Sequence, residues 1–326
     1  MYNIITFGSA TQDMFMSSKE FQTIESDKFN TKKGLCVPLG TKIHIDEVVF
    51  AMGGVGTNTA VTFARQGLKT AYVGQIGKDV GGESVKTELF RQNVSMEFLR
   101  EQDEWTTAYS VIVSLPCVGR SILEKLGACH EITEKDISFD KIKTDWFYIG
   151  SLSGNSSKIF KPLLEFANRE DIKIAHNPGR TQLNDDIDVL RDNLDKIDIL
   201  ILNQEEAAKL ADLDFDQEEE IFKKLDDTVR GIVVMTKGPD GVVVSDGKKK
   251  YFAGIPKSPM IERTGAGDAF GSAFVSGWIE KQDISYAIQL GTANATSCLQ
   301  QIGATNGLLK KGEWGEWDKV KVNNEQ

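Results

Sequence analysis

The chain has 326 residues, 40% of them hydrophobic and 26% charged, with a formal net charge of -10. That length can bury a large core and is long for one compact domain, so a single domain spanning 1–326 with an elaboration is the first expectation. The acidic balance argues against nucleic acid or an anionic membrane as the main partner, since both favour a basic surface, yet it leaves room for a phosphate held by a local positive field.

The opening residues lack a basic segment followed by a long apolar one, and no apolar run approaches about 18 residues, so neither export nor membrane spanning is expected. Cys36, Cys117, Cys129 and Cys298 are scattered without a Cys-x-x-Cys pair. They signal neither zinc nor a disulfide framework, and reduced thiols in a cytoplasm are the plain reading. Ile4–Gly8 is a short apolar run ending in small residues, which predicts a buried strand with a loop at its carboxyl end. Asp13 lies just beyond, where open parallel sheets collect ligands, although an isolated loop aspartate is more often a turn residue. Residues 14–50 show no strong helical period, only polar stretches, Gly34, Pro38 and Gly40, and then a strand predicted at Ile43–Phe50. Ala51–Ala60 is a glycine turn opening a helix marked by Val61, Phe63, Ala64 and Leu68.

Tyr109–Leu115 reads as another strand, followed by Pro116, Gly119 and Arg120. Between Lys141 and Gln204 the pattern becomes strand and helix repeats, with strands at Trp146–Gly150, Ile172–Ala175 and Ile197–Leu202, a helix reaching about Glu170 and another near Asp186–Leu194. Such alternation predicts a parallel sheet with helices on both faces. Asn203 and Glu206 follow the third of these strands at a spacing that sets both near the first turn of a helix. That rim could bring them to a nucleotide phosphate and its Mg²⁺, though taken alone the pair is more often a helix cap beside a solvated acidic turn. Glu218–Asp227 reads as an acidic solvated helix, and Gly231–Met235 as a strand with Val242–Ser245 returning antiparallel to it.

Met260–Trp278 carries the strongest chemistry. After Asp268, the residues Ala269, Phe270, Ala273, Phe274 and Trp278 are spaced as one buried helix face, so Gly265–Gly267 falls on the turn that starts the helix. Unpaired N–H groups and the positive dipole end at such a terminus receive an anion, and glycines let a ligand approach the backbone. With a hydroxyl between Asp268 and a phosphate tail, the carboxylate can take the hydroxyl proton while Gly265, Ala266 and Gly267 frame an anion hole for the transferred group. The plainer alternative makes Asp268 a cap and the glycines a turn. Ser285–Gln301 is a further helix, and the tail, with Trp314 and Trp317 among charges, is expected to pack on the core or to be partly disordered.

Glu262-Arg-Thr-Gly-Ala-Gly-Asp268 with Phe270 resembles the second signature of the ribokinase-like (PfkB) sugar and nucleoside kinase family, usually Asp-Thr-x-Gly-Ala-Gly-Asp-x-Phe, with Glu262 in place of the aspartate. Gly53, Gly54, Asn58 and Ala60 match its first signature, followed by Gly74, Gly77, Asp79 and Gly82, and Asn203 with Glu206 matches its Asn-x-x-Glu motif. The resemblance covers roughly Ile4 to Leu308. It implies an α/β ribokinase-like fold, a central mainly parallel sheet flanked by helices, with a small β-sheet lid formed by about 14–50 and 105–120. It implies an ATP-dependent kinase with Asp268 as catalytic base, Asp13, Gly53, Gly54 and Asn58 at the acceptor, and Thr236, Gly238 and Gly241 lining ATP. It also sets Asn294 at the adenine side, Glu206 near Mg²⁺ through water, and Glu262 at a monovalent-cation (K⁺) loop with the turn at Gly303.

A small-molecule sugar, or a purine nucleoside as the alternative, is the implied substrate, and a homodimer through the lid the implied assembly. Two positions depart from a ribokinase ribose site, since Thr11 stands where that site has asparagine and Val55 where it has lysine. A dinucleotide-dependent dehydrogenase is disfavoured, because no Gly-x-Gly-x-x-Gly follows the first strand, and Gly77-Lys78 is followed by Asp79 rather than completing a Walker-A site. A non-catalytic sensor of the same fold is disfavoured by the retention of Asp268 and both glycines.

Overall fold

β1 (Tyr2–Phe7) is buried on both faces because its apolar residues divide between two hydrophobic clusters, Ile4 in one and Ile5 with Phe7 in the other. The same alternation recurs along the middle of the chain, and it is what a helix-covered strand requires. This computed structural model describes residues 1–29, 31–115 and 119–325, so Pro116 and Cys117 lie outside the described residues.

From β1 the chain enters β2 (Thr11–Ser17), a small hairpin of β3 (Gln22–Glu25) and β4 (Lys33–Cys36), and β5 (Glu47–Gly53). Next come α1 (Val55–Arg65), β6 (Thr70–Gly77), α2 (Val80–Arg91), β7 (Ser95–Gln102), β8 (Ala108–Leu115) and β9 (Gly119–Lys125). The repeats follow as β10 (Thr144–Ile149), α3 (Phe160–Arg169), β11 (Lys173–His176), the short α4 (Arg180–Asn184) and α5 (Ile187–Arg191), β12 (Ile199–Asn203), α6 (Gln204–Ala211) and α7 (Glu218–Asp226). The chain ends through β13 (Ile232–Thr236), β14 (Val242–Ser245), β15 (Lys250–Ala253), α8 (Ala266–Lys281), α9 (Ile284–Cys298) and β16 (Asn323–Glu325).

The large sheet runs β16-β15-β14-β13-β12-β11-β10-β1-β6-β7, parallel from β7 to β13 and antiparallel beyond. Phe270, Phe274 and Ile288 of α8 and α9 cover one face with Trp146, Tyr148, Ile201 and Val234, and Leu163, Leu210 and Phe222 cover the other with Phe147, Leu200 and Val233. Strand order reverses at β1, which has β6 on one side and β10 on the other, and in such sheets a crevice opens beyond the carboxyl ends at that reversal.

The second sheet, β5-β2-β8-β9, is the lid. Its register puts three rows on one face, because cross-strand partners share a side. Ala51, Asp13, Ser110 and Glu124 form the first row, Val49, Phe15, Ile112 and Ile122 the second, and Glu47, Ser17, Ser114 and Arg120 the third.

The parallel sheet, its flanking helices and the antiparallel return of β14 agree with the sequence expectations. Several boundaries do not. The lid strands span 11–53 and 108–125 rather than 14–50 and 105–120, and the strand expected at Ile43–Phe50 begins at Glu47 and runs on through Gly53. Gly53 looked like a turn, but it pairs with Thr11 inside the ladder. The helix expected near Asp186–Leu194 is present as the shorter α5 (Ile187–Arg191), and α4 (Arg180–Asn184) precedes it without having been marked by the sequence pattern. Thr70–Gly77, Val80–Arg91 and Ser95–Gln102 form a strand, a helix and a strand where only a glycine pattern had been noted. The tail packs on the core through Val320 and Val322, and β16 extends the sheet at β15.

Asp79 fastens the lid to the core. It caps α2 by accepting from Gly82 N at 2.8 Å, and it also accepts from Thr107 N at 2.8 Å and Thr107 Oγ1 at 2.7 Å, immediately before β8. Asp79→Ala removes a cap and leaves buried donors at Thr107 unpaired, so a loss of about 2 kcal/mol in unfolding free energy is expected, measured by urea denaturation. An unchanged midpoint would show that the cap does not fasten the lid.

Candidate active site

The site assembles where β1 hands over to β2. Asp13 is buried in the first lid row, and Thr11 Oγ1 donates to its Oδ1 at 2.7 Å. Burial holds the Asp13 carboxyl above its usual range, opposed by hydrogen bonds from Thr11 and Ser110. Gly53 is opposite Thr11, and a β-carbon there would come within 1.9 Å of Asp13 Oδ2. Glycine is therefore required for Asp13 to sit in its place. Gly54 starts α1 with φ 98°, a left-handed backbone that places Asn58 on the first turns, facing α8.

Asn58 Nδ2 donates to Asp268 Oδ2 at 2.9 Å, while Asn58 Oδ1 is buried with no partner among the described residues. A buried orphan acceptor costs about 1–3 kcal/mol, and a hydroxyl donor entering the cleft would relieve it.

At α8, Gly265 has φ 83°, and a β-carbon on it would approach the Ala304 side chain to 2.4 Å. The N–H groups of Gly267 and Asp268 have no protein acceptor among the described residues, and the space beside Gly267 is open. Free N–H groups, an open approach and the dipole end of a long helix suit a phosphate oxygen. Although part of Asp268 still opens to the cleft, its carboxyl is enclosed by protein. Burial lifts its pKa from 3.8 to about 6, the Asn58 hydrogen bond opposes the rise, and the charge of Asp13 adds to it.

The nucleotide-side residues come together at adjacent strand ends. Asn203 on β12 is the register partner of Thr236 on β13. Asn203 and Glu206 form a reciprocal cap, Asn203 N donating to Glu206 Oε2 at 2.8 Å and Glu206 N to Asn203 Oδ1 at 2.9 Å. Burial raises the Glu206 carboxyl above its usual range, opposed by the hydrogen bonds from Asn203. Gly238 (φ 55°) has open space beside it, whereas a β-carbon on Gly241 (φ 92°) would strike Ala253 O at 2.0 Å. Lys237 donates to Glu218 Oε2 at 2.6 Å instead of projecting toward a phosphate.

Two further expected site residues already have protein partners. Asn294 is fully buried, its Nδ2 donating to Ala269 O at 2.8 Å and its Oδ1 accepting from Leu309 N at 2.8 Å. The amide ties α9 to α8 and to the chain beyond α9. Glu262, expected at a K⁺ loop, pairs with the Arg120 guanidinium at 2.9 Å and also accepts from Arg263 N, Thr264 N and Thr264 Oγ1. A guanidinium already neutralises the carboxylate that a monovalent ion would need.

Sequence reasoning missed Ser110 and Glu124, which only the lid register sets in the row of Asp13, and Tyr148, whose buried hydroxyl has no partner among the described residues. Burial and then the charge of Asp268 hold the Tyr148 phenol well above its ordinary range. No local signal marks any of the three.

A doubly wound sheet, a β lid, and a carboxylate beside an open helix terminus define an α/β phosphotransferase. The pfkB family carbohydrate kinase profile matches residues 26–311. A ribokinase of Lactococcus lactis is 27% identical over 278 residues, covering 84% of this chain and 88% of that one. The structure of an adenosine kinase from Sinorhizobium meliloti has a TM-score of 0.76 at 21% identity over 93% of this chain and 95% of its own. A structure from E. coli described as a ribokinase II, solved with ATP and Mg²⁺, has a TM-score of 0.80 at 16% identity over 94% and 96%. At these identities the structural likenesses establish the fold alone. The chain belongs to the pfkB carbohydrate kinase family and is an ATP-dependent kinase.

A base works only when ionised, so kcat/KM is expected to fall on the acid side with a limb near pH 6. Asn58→Ala removes the hydrogen bond that lowers the Asp268 pKa and moves this limb up, whereas Asp13→Asn removes a charge that raises it and moves the limb down. Asp268→Asn should lower turnover roughly 10²-fold or more while keeping acceptor binding. A folded-state pKa raised above the unfolded value gives stability that is present below pH 3.8 and lost as pH rises through about 6. Asp268→Asn should therefore raise Tm at neutral pH, and near-normal turnover in that folded variant would reject the assignment.

Proposed function

We propose that this kinase phosphorylates a hydroxyl of a small sugar or sugar derivative, with Asp268 as general base and the N-terminus of α8 as anion hole. The observation that carries this reading is Asn58, which donates to Asp268 and keeps an orphan acceptor beside the free N–H groups of Gly267 and Asp268. In the proposed mechanism, closure of the lid excludes water. Asp13 and the Asn58 oxygen orient the acceptor, and Asp268 removes the proton of the reacting hydroxyl as its oxygen bonds to the terminal phosphorus of ATP and the bond to the leaving ADP oxygen breaks. The N–H groups of Gly267 and Asp268 hold the charge on the phosphoryl oxygens. Thr236, Gly238 and Gly241 are proposed to line ATP beside Asn203, with Glu206 holding Mg²⁺ through water. When bound, Mg²⁺ supplies charge neutralisation at the phosphate oxygens.

The remaining expectations belong to the same reading: one domain over 1–326, and work in the cytoplasm, which the free, buried Cys129 and Cys298 support. Among the described residues no helix is long and apolar enough to cross a membrane.

A purine nucleoside is the second reading, for which a cavity of about 800 Å³ between the lid and the 260s has room, its walls mixing Phe15, Val49 and Ile302 with Arg120, Glu262 and Arg263. With Mg-ATP, a panel of sugars, sugar acids and nucleosides should yield a phosphorylated product, and ribose should not be the best sugar. Thr11 is spent on Asp13, and Val55 lies against Gly8 and Gly150, so neither supplies the polar group of a ribose site. Each missing hydrogen bond costs about 0.5–1.5 kcal/mol, up to roughly tenfold in affinity. Product mass and competition kinetics decide, with a ribose preference sinking this argument and a purine nucleoside preference selecting the second reading.

Pairing of two copies through the lid is supported by its outer face, where Val48, Phe50 and Leu123 are exposed. Sedimentation should show a dimer that Phe50→Asp weakens, and a wild-type monomer at high concentration would end the proposal.

A further inference from the structure

We propose that Arg120 is a lid-borne positioning residue that shapes the anion hole through Glu262. This inference rests on the kinase reading above. Arg120 stands at the start of β9 in the third row of the lid's inner face, paired in register with Ser114 of β8. Both reach the same carboxylate, Arg120 Nη1 donating to Glu262 Oε1 at 2.9 Å and Ser114 Oγ to Oε2 at 3.3 Å. Glu262 is 8% exposed, and Arg120 supplies its only ion pair among the described residues.

On its other side the same Oε1 accepts from Arg263 N at 2.8 Å, Thr264 N at 3.1 Å and Thr264 Oγ1 at 2.9 Å. These bonds shape the two residues that lead directly into Gly265, whose left-handed backbone opens α8 and aims the N–H groups of Gly267 and Asp268. Glu262 is thus a junction between a lid strand and the anion-hole turn. A buried carboxylate that loses its counter-charge either draws in a proton or water or swings outward, and in each case the turn loses the acceptor that orders it. The lid position bearing Arg120 is thereby coupled to the geometry that receives phosphoryl charge, and a shift of about an ångström there costs catalysis heavily.

The test compares kcat and acceptor KM, with Mg-ATP, for the wild type, Arg120→Ala, Arg120→Lys and the Arg120→Ala/Glu262→Gln double variant. Each is assayed in sub-denaturing guanidinium chloride and in tetramethylammonium chloride at equal ionic strength. Arg120→Ala is expected to lower kcat about tenfold or more with little change in KM, the pattern of a lost transition-state contribution. Guanidinium, which fits the vacated space, should restore activity to Arg120→Ala where tetramethylammonium does not, and Arg120→Lys should be intermediate. Adding Glu262→Gln to Arg120→Ala should cost far less than an independent effect would, because both act on one junction. An unchanged kcat in Arg120→Ala overturns the proposal, as does a loss that guanidinium leaves unrestored and Arg120→Lys shares in full.

Where Arg120→Ala does not fold, Arg120→Lys decides, a lowered kcat at constant KM supporting the proposal and unchanged kinetics rejecting it. If the wild type phosphorylates no acceptor, the kinase reading fails, and hydrogen exchange of the Mg-ADP complex still reads the junction. Arg120→Lys should then lose protection over 262–268 together with β9, and protection lost in β9 alone rejects the coupling.

Discussion

The hydrogen bond from Asn58 Nδ2 to Asp268 Oδ2 joins the first turns of α1 and α8, two helices whose residues are 210 positions apart in sequence. Each helix begins at a glycine with positive φ, Gly54 or Gly265, where a β-carbon would strike the backbone of Ser9 and Ala10 or the side chain of Ala304. Around that contact the remaining parts take their places. Asp13 approaches from the lid over Gly53, the free N–H groups of α8 face the same space, and the large sheet holds the strand ends beneath them. A carboxylate there is costly to ionise, and burial accordingly raises the pKa of Asp268. Under the proposed mechanism the cost has a use, since a base with a pKa nearer neutrality is matched to taking a proton from a neutral hydroxyl.

The lid meets this site through chemistry that alternates by row. Nearest Asp268 is the row of Asp13, Ser110 and Glu124, polar and acidic, then the apolar row of Val49, Phe15, Ile112 and Ile122, then the row that carries Arg120. The first row thus offers polar and acidic groups to the cleft, and the second an apolar surface. The third row pairs with Glu262, the residue that orders the turn before the anion hole. The lid thereby supplies the cation that pairs with a carboxylate that would otherwise be buried alone.

Much of this was legible in the sequence for a definite reason. Helix periodicity after Asp268, the glycines before it, and the apolar runs at β1, β10, β12 and β13 are local signals, set by the few residues around each position. They determined the parallel sheet, the helix that opens at Gly265, and the candidate base. The positions at Asp13, Asn58, Asn203 and Thr236 were marked by the ends of elements, and in the structure Asn203 pairs in register with Thr236 while Asn58 meets Asp268.

Register, partner choice and burial were decided only in the folded chain. Glu262 and Arg120 are 142 residues apart, and no local pattern says that a guanidinium from β9 will occupy the carboxylate. Asn294 looked available to a ligand until α8 and the chain beyond α9 closed on both ends of its amide. Gly53 looked like a turn because the sequence does not show that Thr11 lies opposite it in a ladder. Sequence spacing fixes which face of a strand or helix a residue occupies, whereas its partner is set by which other faces pack against it. That depends on contacts between distant segments, and so the helix terminus and its base belong to the sequence while the lid junction, the orphan Asn58 oxygen and the spent Asn294 belong to the tertiary structure.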